Sequence, residues 1–384
     1  MSMALARTPP TAAQEMPARR LAQLAEPLRL YRGGVIEHPV VAYECWGQLN
    51  DARDNTILIF TGLSPSAHAA SSPEDPKPGW WEPMIGEGRP IDTRRFFVVA
   101  VNSLGSPYGS SSPVSADPTT GQRYGVDFPE VAVEDIATAG REALRTLGIR
   151  RVAAVVGPSL GGMVVLAYCA LFPGEVDSVV TISGAARATP FAIALRSLQR
   201  ETVRSDPAWR GGNYSPGRGP RQGLRLARKL GTITYRSPQE WQQRFGRKRV
   251  AEPSGLPGDF RPQFEVESYL EHQAQRFADT FDANCYLYLS RAMDQFDLAD
   301  HGGNSLAAAF AKFRVKRALV LGVETDMLFT IDQQREIAEH LRVAGVAVEF
   351  HAFPSLQGHD AFLVDHERFG HALEGFLKGI GESD

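Results

Sequence analysis

One stretch constrains the fold more than any other: an uninterrupted apolar run, a glycine-bracketed serine, then a helical segment. Arg151-Val152-Ala153-Ala154-Val155-Val156 reads as a strand buried on both faces, because β-branched residues without polar alternation suit the middle of a parallel sheet. Gly157-Pro158-Ser159-Leu160-Gly161 follows, and small and apolar residues then recur at helical spacing from Gly162 to Phe172, stopping at Pro173-Gly174. So sharp a passage from strand to helix forces the central residue into strained backbone that flanking glycines permit. The turn lifts the Ser159 hydroxyl above the carboxyl end of the sheet. Ser159 is the candidate nucleophile; an ordinary glycine-rich turn is the competing reading.

The same grammar recurs along the chain. Thr56–Phe60, Phe96–Val101, Ser178–Ile182, Ala318–Gly322 and Val346–Phe350 read as further strands. Val131–Leu147, Asp332–Val343 and Glu367–Lys378 read as helices between or after them. Strands alternating with helices predict an α/β fold, a mainly parallel sheet covered on both faces. Leu28 to Gly47, with Gly33-Gly34, predicts antiparallel strands. The alternation stops between Thr189 and Gly303, where Arg, Gln, Trp and Tyr replace β-branched runs. Three regions are therefore expected: a loosely ordered arm (1–25), a core (26–188 and 304–384) and an inserted helical lid (189–303).

Bulk properties exclude several function classes. A net charge of −3 and a longest basic cluster of only Arg244 to Arg249 give no footprint for nucleic acid. No apolar stretch approaches the length of a membrane span, and the first 25 residues lack the apolar centre of a secretory signal. Three cysteines, Cys45, Cys169 and Cys285, are widely spaced and without a CxxC. That number and spacing fit a reducing cytoplasm rather than a disulfide framework. No His/Cys/Asp grouping has metal-ligand spacing, so no metal and no permanently bound cofactor are expected.

A serine hydroxyl is a weak nucleophile until a base takes its proton, and that base needs a carboxylate to fix its tautomer. In α/β-hydrolase chains the order is Ser, acid, His, the latter two after the last strands. Asp326 follows the Ala318 strand, and His359 follows the Val346 strand. Glu324 competes as the acid, and His68 is a candidate lining residue. The oxyanion formed on an attacked carbonyl needs two donors, expected from the N–H groups of Leu160 and of Leu63 in Thr61-Gly62-Leu63-Ser64.

Many separate segments resemble the homoserine acyltransferase branch of the α/β-hydrolases. They include Gly79-Trp80-Trp81, Val101-Asn102-Ser103-Leu104-Gly105, Gly157 to Met163, Gly211-Gly212-Asn213-Tyr214, Ile233-Thr234-Tyr235-Arg236-Ser237 and Gly358-His359-Asp360-Ala361-Phe362-Leu363. The loop Thr61 to His68, with Ile182 to Ala185 and Pro190 to Ser197, is more similar to the serine O-succinyltransferase subgroup. Pro158 departs from the small or amide residue usual before the nucleophile.

The resemblance implies ping-pong transfer of an acyl group from succinyl-CoA (alternatively acetyl-CoA) to L-serine, supplying cysteine synthesis. It implies that Arg228 and Asp360 hold the amino-acid acceptor, that Thr61, Gly62, Leu63 and Ser64 select it, and that the chain forms a homodimer through the lid. The acyl-selecting position is expected among Ala185, Ala186 and Arg187. Homoserine acylation, serine acetylation and, more distantly, carboxylic ester hydrolysis remain open on the same triad.

Overall fold

The apolar runs become the interior of one eight-stranded sheet in this computed structural model, which describes residues 16–250 and 262–380. In chain order the strands are β1 (Arg20–Gln23), β2 (Leu28–Arg29), β3 (Val35–Ile36), β4 (Val40–Trp46), β5 (Thr56–Phe60) and β6 (Ile85–Gly86). They continue as β7 (Ile91–Asp92), β8 (Phe97–Val101), β9 (Val152–Pro158), β10 (Val176–Ile182), β11 (Arg317–Val323) and β12 (Ala347–Phe353). The large sheet runs β1-β4-β8-β5-β9-β10-β11-β12. Its first two pairings, β1 with β4 and β4 with β8, are antiparallel, and all the others are parallel.

Period-two geometry divides each interior strand between two cores. Leu58 and Phe60 of β5 join Val155 and Val179 on one face. Ile57 and Ile59 join Val156 and Val180 on the other. Helices α1 (Val133–Thr146) and α2 (Leu160–Leu171) cover the first face.

Between β10 and β11 the chain forms α3 (Pro190–Arg204), α4 (Arg221–Thr234), α5 (Pro238–Phe245), α6 (Glu265–Thr280), α7 (Ala283–Gln295) and α8 (Leu306–Phe310). Helix α3 packs on α4 and α7, and α4 packs on α6. The last helices are α9 (Ile331–Val343), α10 (Ala361–Val364) and α11 (His366–Lys378). Helix α9 adds Ile337 and Leu341 to the first core, and α11 buries Phe369, Leu373 and Phe376 against the second face.

Two expectations change. Residues 1–15 of the expected loose arm lie outside the described residues, but Arg20–Gln23 is an edge strand rather than free chain. Its backbone finds partners along β4, which matters more than its poor strand propensity. Strands β9 and β12 also run further than their β-branched cores, β9 to Pro158 and β12 to Phe353. The added residues still pair with their neighbours, Pro158 with Ile182 and Phe353 with Val323.

Candidate active site

Ser159 has φ 58° and ψ −119°, the strained conformation expected of a residue forced round a strand-to-helix turn. Close packing explains the flanking glycines. A Cβ at Gly157 would lie 2.1 Å from the Gly161 carbonyl oxygen, and one at Gly161 would lie 2.2 Å from that of Phe60. Both distances are impossible for real atoms, so the turn forms only with hydrogen at those positions.

The hydroxyl meets its partners at hydrogen-bonding distance. His359 Nε2 is 2.8 Å from Ser159 Oγ, and His359 Nδ1 is 2.7 Å from Asp326 Oδ2. Asp326 Oδ1 accepts from the N–H groups of Leu328 and Phe329 at 2.9 and 3.0 Å, which holds the carboxylate in one orientation. Thr325 ties the two loops together. Its Oγ1 donates to the Ser355 carbonyl and accepts from Gly358 N–H.

All three side chains are buried, Ser159 at 8%, Asp326 at 4% and His359 at 5% exposure. Burial is the largest influence on His359 and disfavours its charged form. The charge and hydrogen bond of Asp326 outweigh it, leaving the pKa above the ordinary histidine value. Glu324, the rival acid, is exposed. Its N–H donates to the Phe353 carbonyl.

The other expected residues fall into two groups. Leu160 opens α2, where its N–H lies beyond the reach of any helical carbonyl. Leu63 lines the cavity that contains Ser159 and His359, and a Cβ at Gly62 would sit 3.8 Å from that of Ser159. Thr61 is buried against Ser103. Arg228 Nη1 donates to Ser64 Oγ at 3.1 Å, and its guanidinium lies 4.6 Å from the Phe277 ring centre and 5.3 Å from that of Tyr235. Arg228 Nε is buried without a protein hydrogen-bond partner among the described residues, and neither Arg228 nor Asp360 lines the cavity that contains Ser159 and His359. Asp360 Oδ2 accepts from Arg236 Nε at 3.0 Å.

The residues expected to select the acyl group lie elsewhere. Ala185 and Ala186 are buried core residues, and Arg187 pairs with Glu336 at 2.9 Å. None of them lines the cavity at Ser159. After β10 the chain is held along the core, where the Ala186 carbonyl accepts from Leu298 N–H. The middle of α3 enters the cavity instead, through Leu195, Arg196 and Gln199.

Arg196 was missed by sequence reasoning. It is 8% exposed and pairs through Nε with Asp294 Oδ1 of α7 at 2.5 Å. Arg200 takes the other carboxylate oxygen at 2.6 Å, so two guanidiniums share one carboxylate, and Arg196 lines the cavity with Ser159. A larger cavity, about 690 Å³, opens between the Gly109–Ser115 and Tyr214–Leu224 segments and contains none of the triad.

Fold and site together define the class. A strained serine after β9, an acid after β11 and a histidine after β12 are the arrangement of an α/β hydrolase, and residues 55–365 match the family described as alpha/beta hydrolase fold. The chain belongs to the homoserine O-acyltransferase family within that fold. It is 58% identical over 360 residues to a serine O-succinyltransferase of Litchfieldella anticariensis, covering 94% of this chain and 98% of the relative. It is 54% identical to an L-serine/homoserine O-acetyltransferase of Streptomyces lavendulae, covering 94% and 97%. Among solved structures it superposes on a homoserine O-acetyltransferase from Bacillus anthracis with TM-score 0.84 at 26% identity, over 96% and 100% of the two chains. The esterase E22 superposes with TM-score 0.84 at 30% identity, over 94% and 99%. Among the described residues no group of His, Cys, Asp and Glu could hold a metal ion, and no helix is long and apolar enough to cross a membrane.

Proposed function

We propose that this chain is a serine O-succinyltransferase that works through an acyl-enzyme on Ser159. The observation that carries the chemistry is the continuous hydrogen-bonded line Ser159–His359–Asp326. His359 Nε2 takes the Ser159 proton as Oγ attacks the thioester carbonyl of succinyl-CoA. The N–H groups of Leu160 and Leu63 receive the oxyanion, and the CoA thiolate leaves with the proton returned by His359. The acceptor hydroxyl then gives its proton to His359 and attacks the acyl-enzyme; the bond from the acyl carbon to Ser159 Oγ breaks, and His359 returns the proton to Oγ.

A zwitterionic acceptor needs two opposite charges to orient it, and Arg228 and Asp360 supply them. Arg228, whose guanidinium reaches Ser64 beside Leu63, is assigned the carboxylate. Asp360 faces the ammonium with the oxygen that Arg236 leaves open.

Arg196 supports the succinyl donor over acetyl. Two arginines against one Asp294 carboxylate leave a surplus positive charge in the wall of the cavity, where the far carboxylate of a succinyl group has a partner. The Streptomyces lavendulae relative, named for acetyl transfer to serine or homoserine, keeps a second donor and a second acceptor in play.

Segment 189–303 is proposed as the lid that keeps water from the acyl-enzyme. Phe191 and Leu198 on α3, and Leu226 and Ile233 on α4, are each spaced two turns apart. They are 54, 49, 51 and 46% exposed, and a second copy of the chain is the proposed cover, making a homodimer. Three free cysteines fit a cytoplasmic enzyme, with its product serving cysteine synthesis.

The test crosses succinyl-CoA and acetyl-CoA with L-serine and L-homoserine, read by mass spectrometry, in wild type and Arg196→Leu. Succinylserine is expected as the main wild-type product. The variant should lower the succinyl-to-acetyl preference by roughly tenfold or more. CoA release that does not depend on the amino acid would identify a hydrolase instead.

A further inference from the structure

His68 lies outside the triad but is tied to it through its own loop. Its ring is 13% exposed and Glu44 only 1%. Nδ1 is 2.9 Å from Glu44 Oε2, and Nε2 is 2.9 Å from the Lys77 carbonyl oxygen. A carboxylate and a carbonyl can only accept, so satisfying both requires a proton on each ring nitrogen. The ring that fits is the imidazolium. Its surroundings agree: the hydrogen bond to Glu44 leads in raising the pKa to about 8 against the effect of burial, with Lys77 and Asp75 adding to it. Glu44 of β4 and Asp75, further along the loop that carries His68, are the charged groups that face it. Because Glu44 stands opposite Ala100 of β8, the anchor belongs to the sheet.

The tethered segment is short and otherwise pinned. His68 N–H donates to Ser66 Oγ, Trp80 Nε1 donates to the Ser66 carbonyl, and Trp80 N–H donates to the His68 carbonyl. Just upstream, Ser64 accepts from Arg228, and Leu63 faces the cavity of Ser159. Whatever fixes His68 therefore fixes the register of these two residues.

We propose that His68 is a positioning residue: its imidazolium, bridging Glu44 and the Lys77 carbonyl, holds the Leu63–Ser64 loop in register with Arg228 and Ser159. The role rests on the acyltransferase reading of that site. A neutral ring keeps one N–H and gives up one of the two bonds, which breaks the bridge between Glu44 and the Lys77 carbonyl and loosens the loop.

The test compares wild type, Glu44→Gln and His68→Gln across the neutral to alkaline range, with acceptor KM measured separately from CoA release. In wild type the acceptor KM is expected to rise through about pH 8. Glu44→Gln should move that rise down by about one pH unit or more. His68→Gln should abolish it and leave KM raised roughly tenfold at neutral pH. Titration of the acceptor's own ammonium is common to all three proteins, so only the difference between profiles counts.

Selective 15N-histidine labelling gives a readout apart from activity. One histidine protonated on both nitrogens at neutral pH should vanish in His68→Gln. Identical KM profiles in the three proteins, or no such signal, overturn the proposal. So does a uniform loss of activity that tracks lowered unfolding midpoints. Where His68→Gln does not fold, Glu44→Gln, which keeps the ring, decides the matter. A wild type that acylates no amino acid overturns the acyltransferase reading itself, while the 15N signal still judges the bridge.

Discussion

Removing the Ser159 hydroxyl deletes the group through which the whole proposed cycle passes. Ser159→Ala is expected to abolish acyl transfer and leave the unfolding midpoint unchanged; substantial residual turnover would take Ser159 out of the nucleophile role. Arg228→Ala should raise the acceptor KM by roughly tenfold or more while sparing the burst of CoA from succinyl-CoA, because its guanidinium reaches Ser64 rather than the triad. Equal loss in both half-reactions would count against that assignment. Ser159, Asp326 and His359 were legible because each follows a recognisable strand, and topology then brings them together. Arg196 was not. A long charged side chain on a helix reads as solvated, and only packing against Asp294 of α7 shows otherwise. A faint signal was present, since Arg196 shares the spacing of Ala192, Gln199 and Val203, the buried face of α3.

The turn from β9 into α2 makes a prediction at the scale of elements. Gly161→Ala places a methyl group 2.2 Å from the Phe60 carbonyl oxygen, which must push β5 and α2 apart. A loss of about 1–3 kcal/mol is expected from denaturant unfolding, and unchanged stability would mean that the two elements separate freely. Strand positions were legible from β-branched runs, but their ends were not, because pairing with a neighbour extends a strand past its favourable residues. Strand β1 shows the extreme case. Arg20-Leu21-Ala22-Gln23 carries no strand signal of its own, yet it pairs residue for residue with Val40 to Tyr43. The segment between β10 and β11 was recognisable as helical, whereas the pairing of α3 with α4 and α7 is a tertiary fact. Substituting Glu for Leu198, on the exposed face of α3, should convert a dimer to monomers in light scattering after size exclusion. A wild type already monomeric at assay concentration would remove the proposed second copy.

Acid–base behaviour belongs to the whole molecule, because burial beneath several elements and the Asp326 charge jointly set the His359 pKa. On the proposed mechanism His359 must be neutral to accept the Ser159 proton, and the neutral fraction grows as pH rises. With the folded pKa raised, kcat/KM for the donor should climb through a midpoint above about 6.5, the ordinary histidine value. Asp326→Asn should lower that midpoint and cut the rate by roughly 10³–10⁴-fold. A midpoint below the ordinary value in wild type would mean that burial, not Asp326, governs the ring.

On this assignment the chain keeps its bond-making machinery and part of its taste in substrates on different stretches. Ser159, Asp326 and His359 hang from the sheet, while Arg196 and Arg228 both ride on the helices inserted after β10. Grafting that one continuous cassette from a relative with other preferences would shift the choice of acyl group most, because Asp360 and the Leu63–Ser64 loop would stay behind with the sheet.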